Sequence, residues 1–219
     1  MSERLCHGQQ ETVENLDIWP NWLSRIQKIA NQRCVSLVVT GKMRRMETSA
    51  VTIRPATAQD ATDIAEVHVS SWRNTYRGQV PDEYLAQLSV SDRARRWREN
   101  FLQEEQQILL ARATDQLVGF VNFGPSRDAD ASKGVTGEVY AIYLKSEAQG
   151  QGLGTRLWEA ACRGLVERGF TEASVWVLST NEPAIAFYTR MGAKFDGGEK
   201  SANIGGREVT EKRYRFSLR

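Results

Sequence analysis

The stretch from Glu138 to Gly169 constrains this chain more than any other. An apolar strand, Glu138 to Leu144, runs into Gln149-Gly150-Gln151-Gly152-Leu153-Gly154-Thr155. An amphipathic helix follows, with Leu157, Ala160, Ala161, Leu165 and Val166 on one side. Glycines at a strand-to-helix junction let the backbone turn tightly and approach a ligand with no Cβ in the way. The start of the helix offers unpaired N–H groups and a partial positive charge, a receptor for pyrophosphate. The Gly-Lys-Ser/Thr ending of a Walker loop is absent. Such turns also occur for structural reasons alone, so the rest of the pattern has to decide.

That pattern is regular from Val51 onward. A short strand, Val51 to Arg54, is stopped by Pro55, and Thr57 is placed to cap a helix carrying Ile64, Ala65, His68, Val69 and Trp72. Pro81 opens a second helical stretch with Tyr84, Leu85 and Leu88, and a third is expected from Ser91 through Phe101. Ile108 to Ala111 and Leu117 to Val121 flank the turn Thr114-Asp115-Gln116 as a hairpin. A polar loop from Pro125 to Gly137 precedes the Glu138 strand. After the glycine-rich turn and its helix, closed by Gly169, come a strand Ser174 to Leu178 and a helix Pro183 to Met191 ended by Gly192. Two strands, Ala193 to Glu199 and Val209 to Ser217, are joined by Gly205-Gly206. The mixture implies an α/β (α+β) domain, with a mostly antiparallel sheet and helices on its faces.

Residues 1–50 stand apart from this scheme. Pro20 to Ala30 reads as a helix and Val35 to Val39 as a short strand. Either the segment is an extension of the domain at 51–219, or translation begins at Met43 or Met46, the reading slightly favoured because the regular pattern starts just afterward.

Composition excludes several classes. With 29 Lys and Arg against 27 Asp and Glu, the net charge of +2 is too small to argue for nucleic acid. The cluster Arg93, Arg95, Arg96 and Arg98 carries Asp92 and Glu99 with it and reads as a solvated helix face. Cys6, Cys34, Cys162, His7 and His68 show neither metal-ligand spacing nor a disulfide framework, so no metal is expected. No apolar run reaches the ~20 residues of a membrane span, and Met1-Ser2-Glu3-Arg4 lacks a signal-peptide core. The expected setting is the cytoplasm, with no membrane or nucleic-acid partner.

Two ordered motifs resemble the GNAT superfamily of N-acetyltransferases, in its small-molecule type. Gln149, Gly152 and Gly154 match Gln/Arg-x-x-Gly-x-Gly/Ala between a strand and a helix. Asn181 to Gly192, containing Ala184, Phe187 and Tyr188, matches Asn-x-x-Ala-x-x-Phe-Tyr-x-x-x-Gly. Ile53-Arg54-Pro55-Ala56 is typical of the family's first strand, and the resemblance covers about Val51 to Leu218. It implies a GNAT fold whose central sheet is splayed at an acyl-CoA site. Acetyl-CoA would be the co-substrate, its pyrophosphate bound by the backbone of Gln149, Gly150, Gln151, Gly152, Leu153, Gly154 and Thr155. Main-chain groups of Ile142 and Leu144 would pair with the pantetheine arm, and Asn181 would contact the cofactor or hold its loop. The family often pairs through C-terminal strands, here Val209 to Ser217, which makes a homodimer an expectation.

The chemistry needs few groups: an amine attacks the thioester carbonyl, and the thiolate leaves with a proton. Tyr188 is the candidate acid. Glu138 is the candidate base, because alternation along the strand places it on the face of Ile142 and Leu144, and some family members carry a water-relaying glutamate at this spacing. Trp72 and Tyr76 flank the expected acceptor pocket, although Trp72 also continues an apolar stripe and reads first as core. His68 is expected to be a satisfied helix residue and Cys162 a packing residue. The resulting expectation is acetyl transfer from acetyl-CoA to a primary amine of a small molecule. Acetylation of a protein N-terminus or lysine is the near alternative, and a non-catalytic acyl-CoA-binding regulatory module the distant one.

Overall fold

The structure, a computed structural model, describes residues 51–218. The expected helix at 20–30, the strand at 35–39 and the alternative starts lie outside the described residues. Among these residues seven strands form one sheet in the order β1-β2-β3-β4-β5-β7-β6. They are β1 (Val51–Pro55), β2 (Gln107–Ala113), β3 (Gln116–Pro125), β4 (Thr136–Leu144), β5 (Glu172–Leu178), β6 (Lys194–Ile204) and β7 (Arg207–Ser217). The helices are α1 (Ala61–Thr75), α2 (Asp82–Gln87), α3 (Val90–Asn100), α4 (Leu153–Glu167) and α5 (Glu182–Arg190). Every pairing is antiparallel except β4 with β5. That exception follows from connection length: α4 is the crossover a parallel pair requires.

Each face of the sheet has its own core. Leu157, Ala161 and Leu165 of α4 and Tyr188 of α5 pack with Val121, Phe123, Val139 and Val175 on one side. Ile64, Ala65 and Val67 of α1 and Ala94 and Trp97 of α3 pack with Leu110, Phe120 and Ala141 on the other. The helical stripes read from the sequence are these buried faces, except that Val166 of α4 is 43% exposed. Leu157 and Leu165 are fully buried, and truncating either to alanine costs about 2–5 kcal/mol in cores of this kind.

The start of α1 is built differently from the expected cap. Thr57 is the N-cap of a 3-10 turn, Ala58–Asp60, that leads into α1; it forms a capping box with Asp60, and its hydroxyl donates to Asp60 Oδ2 (3.0 Å). The carboxylate of Asp60 accepts from Thr57 N–H (2.8 Å) and from both terminal nitrogens of Arg54 (2.6 and 2.9 Å). The Arg54 guanidinium is the main reason the Asp60 carboxyl is held down at about 2, against the opposing effect of burial.

The last hairpin is longer than its sequence pattern. Gly205 and Gly206 both take positive φ (59° and 85°), as a two-residue turn of this hand requires. Asn203 Oδ1 accepts from Gly206 N–H at 2.9 Å and closes the turn. β7 lies between β5 and β6, so both of its edges are paired inside the sheet. Pairing of two copies through Val209 to Ser217 would therefore lack an edge; β6 has one.

Candidate active site

The parallel ladder between β4 and β5 is short. It pairs Thr136 to Val139 with Glu172 to Val175 and then stops. Tyr140 to Leu144 and Trp176 to Leu178 diverge beyond it, and these segments line a cavity of about 780 Å³. Lys145 N–H donates to Val118 O (2.9 Å), so the antiparallel alternation turns the amide groups of Ile142 and Leu144 away from β3, toward the gap. The Leu144 carbonyl already accepts from Ser71 Oγ (3.1 Å) and Gln149 Nε2 (3.3 Å). Its N–H and both groups of Ile142 remain for a ligand arm.

The glycine-rich turn closes one end of this gap. Gly150 and Gly152 have φ of 71° and 79°, and a Cβ built on either meets nothing within 4 Å. Gly152 caps a helix of 15 residues whose first turn carries no acidic side chain. Open space before an unopposed helix N-terminus fits a pyrophosphate. Gln149, Gly150, Gly152, Gly154 and Thr155 line the cavity; Gln151 instead donates its side-chain amide to Glu147 O (2.7 Å), and Leu153 is buried in the core. Asn181 does two things. Its Oδ1 accepts from Ala184 N–H (3.3 Å) to cap α5, and its side chain also reaches the cavity wall.

Tyr188 is 7% exposed, with its ring against Trp158 (5.5 Å between centroids), and it lines the cavity. Burial, with a smaller push from Tyr143, holds its phenol well above the ordinary range, so it stays protonated. Across the gap Trp72 Nε1–H donates to the Tyr143 hydroxyl (3.0 Å). Tyr76 packs edge-on against Trp72 (4.9 Å) and shares a hydrogen bond with Tyr143. Burial raises both the Tyr76 and the Tyr143 phenol. Trp72 and Tyr76 thus do face the cavity, joined by Tyr84 of α2, which packs against Gly205 at the tip of the β6–β7 hairpin.

Glu138 is not among the cavity's lining residues. It is 1% exposed, and Arg127 grips it: the Arg127 backbone N–H (3.0 Å) and Nε (3.1 Å) donate to Oε2, and Nη2 pairs with Oε1. The alternation argument fails because β4 carries a bulge. Asn122 pairs with Ala141 and Phe123 with Val139, leaving Tyr140 as an extra residue. The bulge inverts the faces, so Val139 packs with Ile142 and Leu144 in one core while Ala141 belongs to the other. Glu138 therefore sits on the opposite face from Ile142 and Leu144, beneath Arg127.

Two further expectations are corrected. Among the described residues neither ring nitrogen of His68 has a hydrogen-bond partner, so this histidine is not a satisfied helix residue. Of the arginine cluster, Arg93 leaves the solvated face, lies over Trp72 (5.9 Å) and lines the cavity. Cys162 is partly buried against the main core, and burial pushes its thiol up to about 11. The polar loop is strapped to the sheet by Asp128, which accepts from Trp176 Nε1 (3.0 Å) and Arg213 Nη1 (3.1 Å). Of this loop Arg127 reaches the cavity. Tyr140, Tyr143, Lys200 and Glu211 also line the cavity and were not anticipated. The hairpin register holds the signal for the last two: counted back from Gly205-Gly206, Lys200 falls opposite Glu211.

A splayed mixed sheet, a glycine-rich helix start beneath the gap and a protonated phenol beside it define a class that moves acyl groups from a thioester arm. Residues 64–193 match the Acetyltransferase (GNAT) family, and the chain belongs to it. It is an acyl-CoA-dependent N-acetyltransferase. It is 39% identical over 139 residues to the uncharacterized N-acetyltransferase YuaI of Bacillus subtilis, covering 63% of this chain and 77% of that one. A mycothiol acetyltransferase of Catenulispora acidiphila is 44% identical over 59 residues, 27% of this chain and 19% of that protein. Among solved structures, an N-acetyltransferase from Staphylococcus aureus Mu50 superposes with a TM-score of 0.63 at 20% identity, covering 78% of this chain and all of that one. The PaiA N-acetyltransferase of Thermoplasma acidophilum, solved in complex with coenzyme A, gives 0.58 at 24% identity over 75% of this chain and 99% of that one. No helix among the described residues is long and apolar enough to cross a membrane.

Proposed function

We propose that the enzyme transfers an acetyl group from acetyl-CoA to the primary amine of a small molecule, in the cytoplasm. The observation that carries this reading is the acceptor side of the cavity. Trp72, Tyr76, Tyr84 and Tyr143 wall it, and the tip of the β6–β7 hairpin rests on α2 at Tyr84. A peptide would need an open trough there. The mycothiol acetyltransferases among the relatives also carry a small-molecule substrate in their name. In the proposed complex the N-terminal turn of α4, from Gln149 to Thr155, holds the pyrophosphate. The free amide groups of Ile142 and Leu144 pair with the pantetheine arm. The Tyr188 hydroxyl protonates the departing thiolate. Glu138 acts by holding Arg127 at the cavity wall, not as the base. A homodimer, within this reading, joins through the β6 edge.

The test is CoA thiol release from acetyl-CoA across amines, amino acids and short peptides, with Tyr188→Phe beside the wild type. Turnover on a small amine that falls about 100-fold or more in the variant is expected, since general acid catalysis contributes about 10²–10⁴. Turnover on peptides alone, or a fully active variant, would overturn the reading.

A further inference from the structure

We propose that Glu211, on β7, is the carboxylate that receives the acceptor's ammonium group and takes its proton as the amine attacks. The inference rests on the small-amine reading above and names the group that the reading leaves unassigned. Glu211 lies opposite Leu178, at the end of β5 where β4 has already diverged. Its side chain is 12% exposed and lines the cavity. Oε2 is buried and makes no hydrogen bond to any of the described residues. A buried carboxylate oxygen without a hydrogen bond is costly unless something cationic completes it, and here Lys200 does so through an ion pair alone.

The structure also indicates what kind of cation fits. The ammonium of Lys200, across the hairpin, stands 3.4 Å from Glu211 Oε2 and 3.9 Å above the Trp176 ring. A primary alkylammonium against a carboxylate and over an indole face is the arrangement by which such a group is recognised. The Lys200 side chain remains 36% exposed, so an acceptor's ammonium can displace it toward solvent. The other titratable and charged groups lining this cavity are His68 of α1 and Tyr76 just after it, Tyr84 of α2, Arg93 of α3, Arg127 of the polar loop, Tyr140 and Tyr143 of β4, Tyr188 and Arg190 of α5, and Lys200 of β6. Glu211 is close enough to raise the phenols of Tyr76 and Tyr143. Tyr188, the proposed acid, also raises Tyr76, so acid and base line one cavity.

The proton balance is complete. One ammonium proton passes to Glu211 as the nitrogen forms its bond to the thioester carbon. The C–S bond then breaks, the sulfur takes the proton of Tyr188, and the second nitrogen proton restores the phenol. Glu211 releases its proton to solvent.

The experiment uses the full chain, with putrescine and 2-phenylethylamine as probes, and follows kcat and KM from pH 6.5 to 10 for wild type, E211Q, E211D and K200M. In E211Q, kcat/KM at pH 7 should fall about 100-fold. CoA affinity should stay unchanged, and the deficit should shrink as the pH nears the amine's own pKa of about 10, where solution supplies the neutral amine. E211D should recover part of the rate, and K200M should lower the amine's KM. Wild-type rates in E211Q, a loss equal at every pH, or a raised amine KM in K200M would each overturn the assignment. Should the wild type turn over neither amine, the wider panel above judges the small-amine reading, and calorimetric binding of the same two amines judges Glu211 alone. Binding lost in E211Q sustains it, and absent or unaltered binding ends it.

Discussion

His68 sits on α1 inside a box of rings. Tyr143 is stacked at 4.9 Å, Trp72 and Trp97 lie at 5.7 Å, and Phe120 lies at 6.1 Å. Burial, reinforced by the Arg93 charge, holds its imidazole neutral and its pKa well below 6.5. The sign of the linkage follows. Below pH 6.5 the unfolded chain takes a proton that the folded one refuses, so stability falls with falling pH. The slope approaches about 1.4 kcal/mol per pH unit until the folded pKa is reached. His68→Leu, which keeps the box filled without a titratable group, should remove this component. Denaturant unfolding at pH 5, 6, 7 and 8 measures it, and parallel curves for variant and wild type would show that His68 does not carry the slope. The two unpartnered nitrogens make the same substitution tolerable at neutral pH, because no hydrogen bond is lost.

At the scale of elements, the β6–β7 hairpin is the part most exposed to a single change. A Cβ at Gly205 would come within 2.5 Å of Tyr84 Cβ, and its φ of 59° already disfavours a side chain. Gly205→Ala should destabilise the protein by about 1–3 kcal/mol and lift the hairpin tip from α2. Acceptor KM should rise while CoA affinity, set by the α4 turn, stays put; a variant with unchanged acceptor KM would mean that the tip does not shape the pocket. The order of the elements was legible because each carries its own period and punctuation: Pro55 and Pro81, the glycine turn at 150–154, Gly169, Gly192 and Gly205-Gly206. The position of Tyr188 at the cavity was legible through its motif. Glu138 was misread because one bulge residue, Tyr140, reverses the faces of β4, and a bulge leaves no mark in a two-residue alternation. Glu211 and Lys200 went unnoticed for another reason. Their place in the cavity comes from β7 lying between β5 and β6, a strand order that local pattern does not encode. Thr57 does cap, but it caps the 3-10 turn Ala58–Asp60 ahead of α1, and the Arg54–Asp60 pair beside it had no sequence signature.

For the whole molecule, the gap that makes the site also weakens the sheet. Only four residue pairs join β4 to β5, against seven in each of the flanking ladders β3–β4 and β5–β7. The sheet is thus two blocks, β1 to β4 and β5 to β7, hinged on Thr136 to Val139. If acetyl-CoA lies in the wedge as proposed, it bridges the blocks by pairing with Ile142 and Leu144 on one side and resting against Val177 and Leu178 on the other. Coenzyme A at about 100 times its Kd should then add about 2.7 kcal/mol to the stability. For a domain of this size that is a rise of about 5–10 °C in Tm. The location of the effect discriminates more sharply than its size. Amide exchange should slow in Tyr140 to Leu144 and also in Trp176 to Leu178, because closing the wedge restrains both walls. Protection confined to the α4 turn would mean that the pyrophosphate docks but the arm does not enter the gap. That result would remove the thioester from Tyr188 and Glu211 alike.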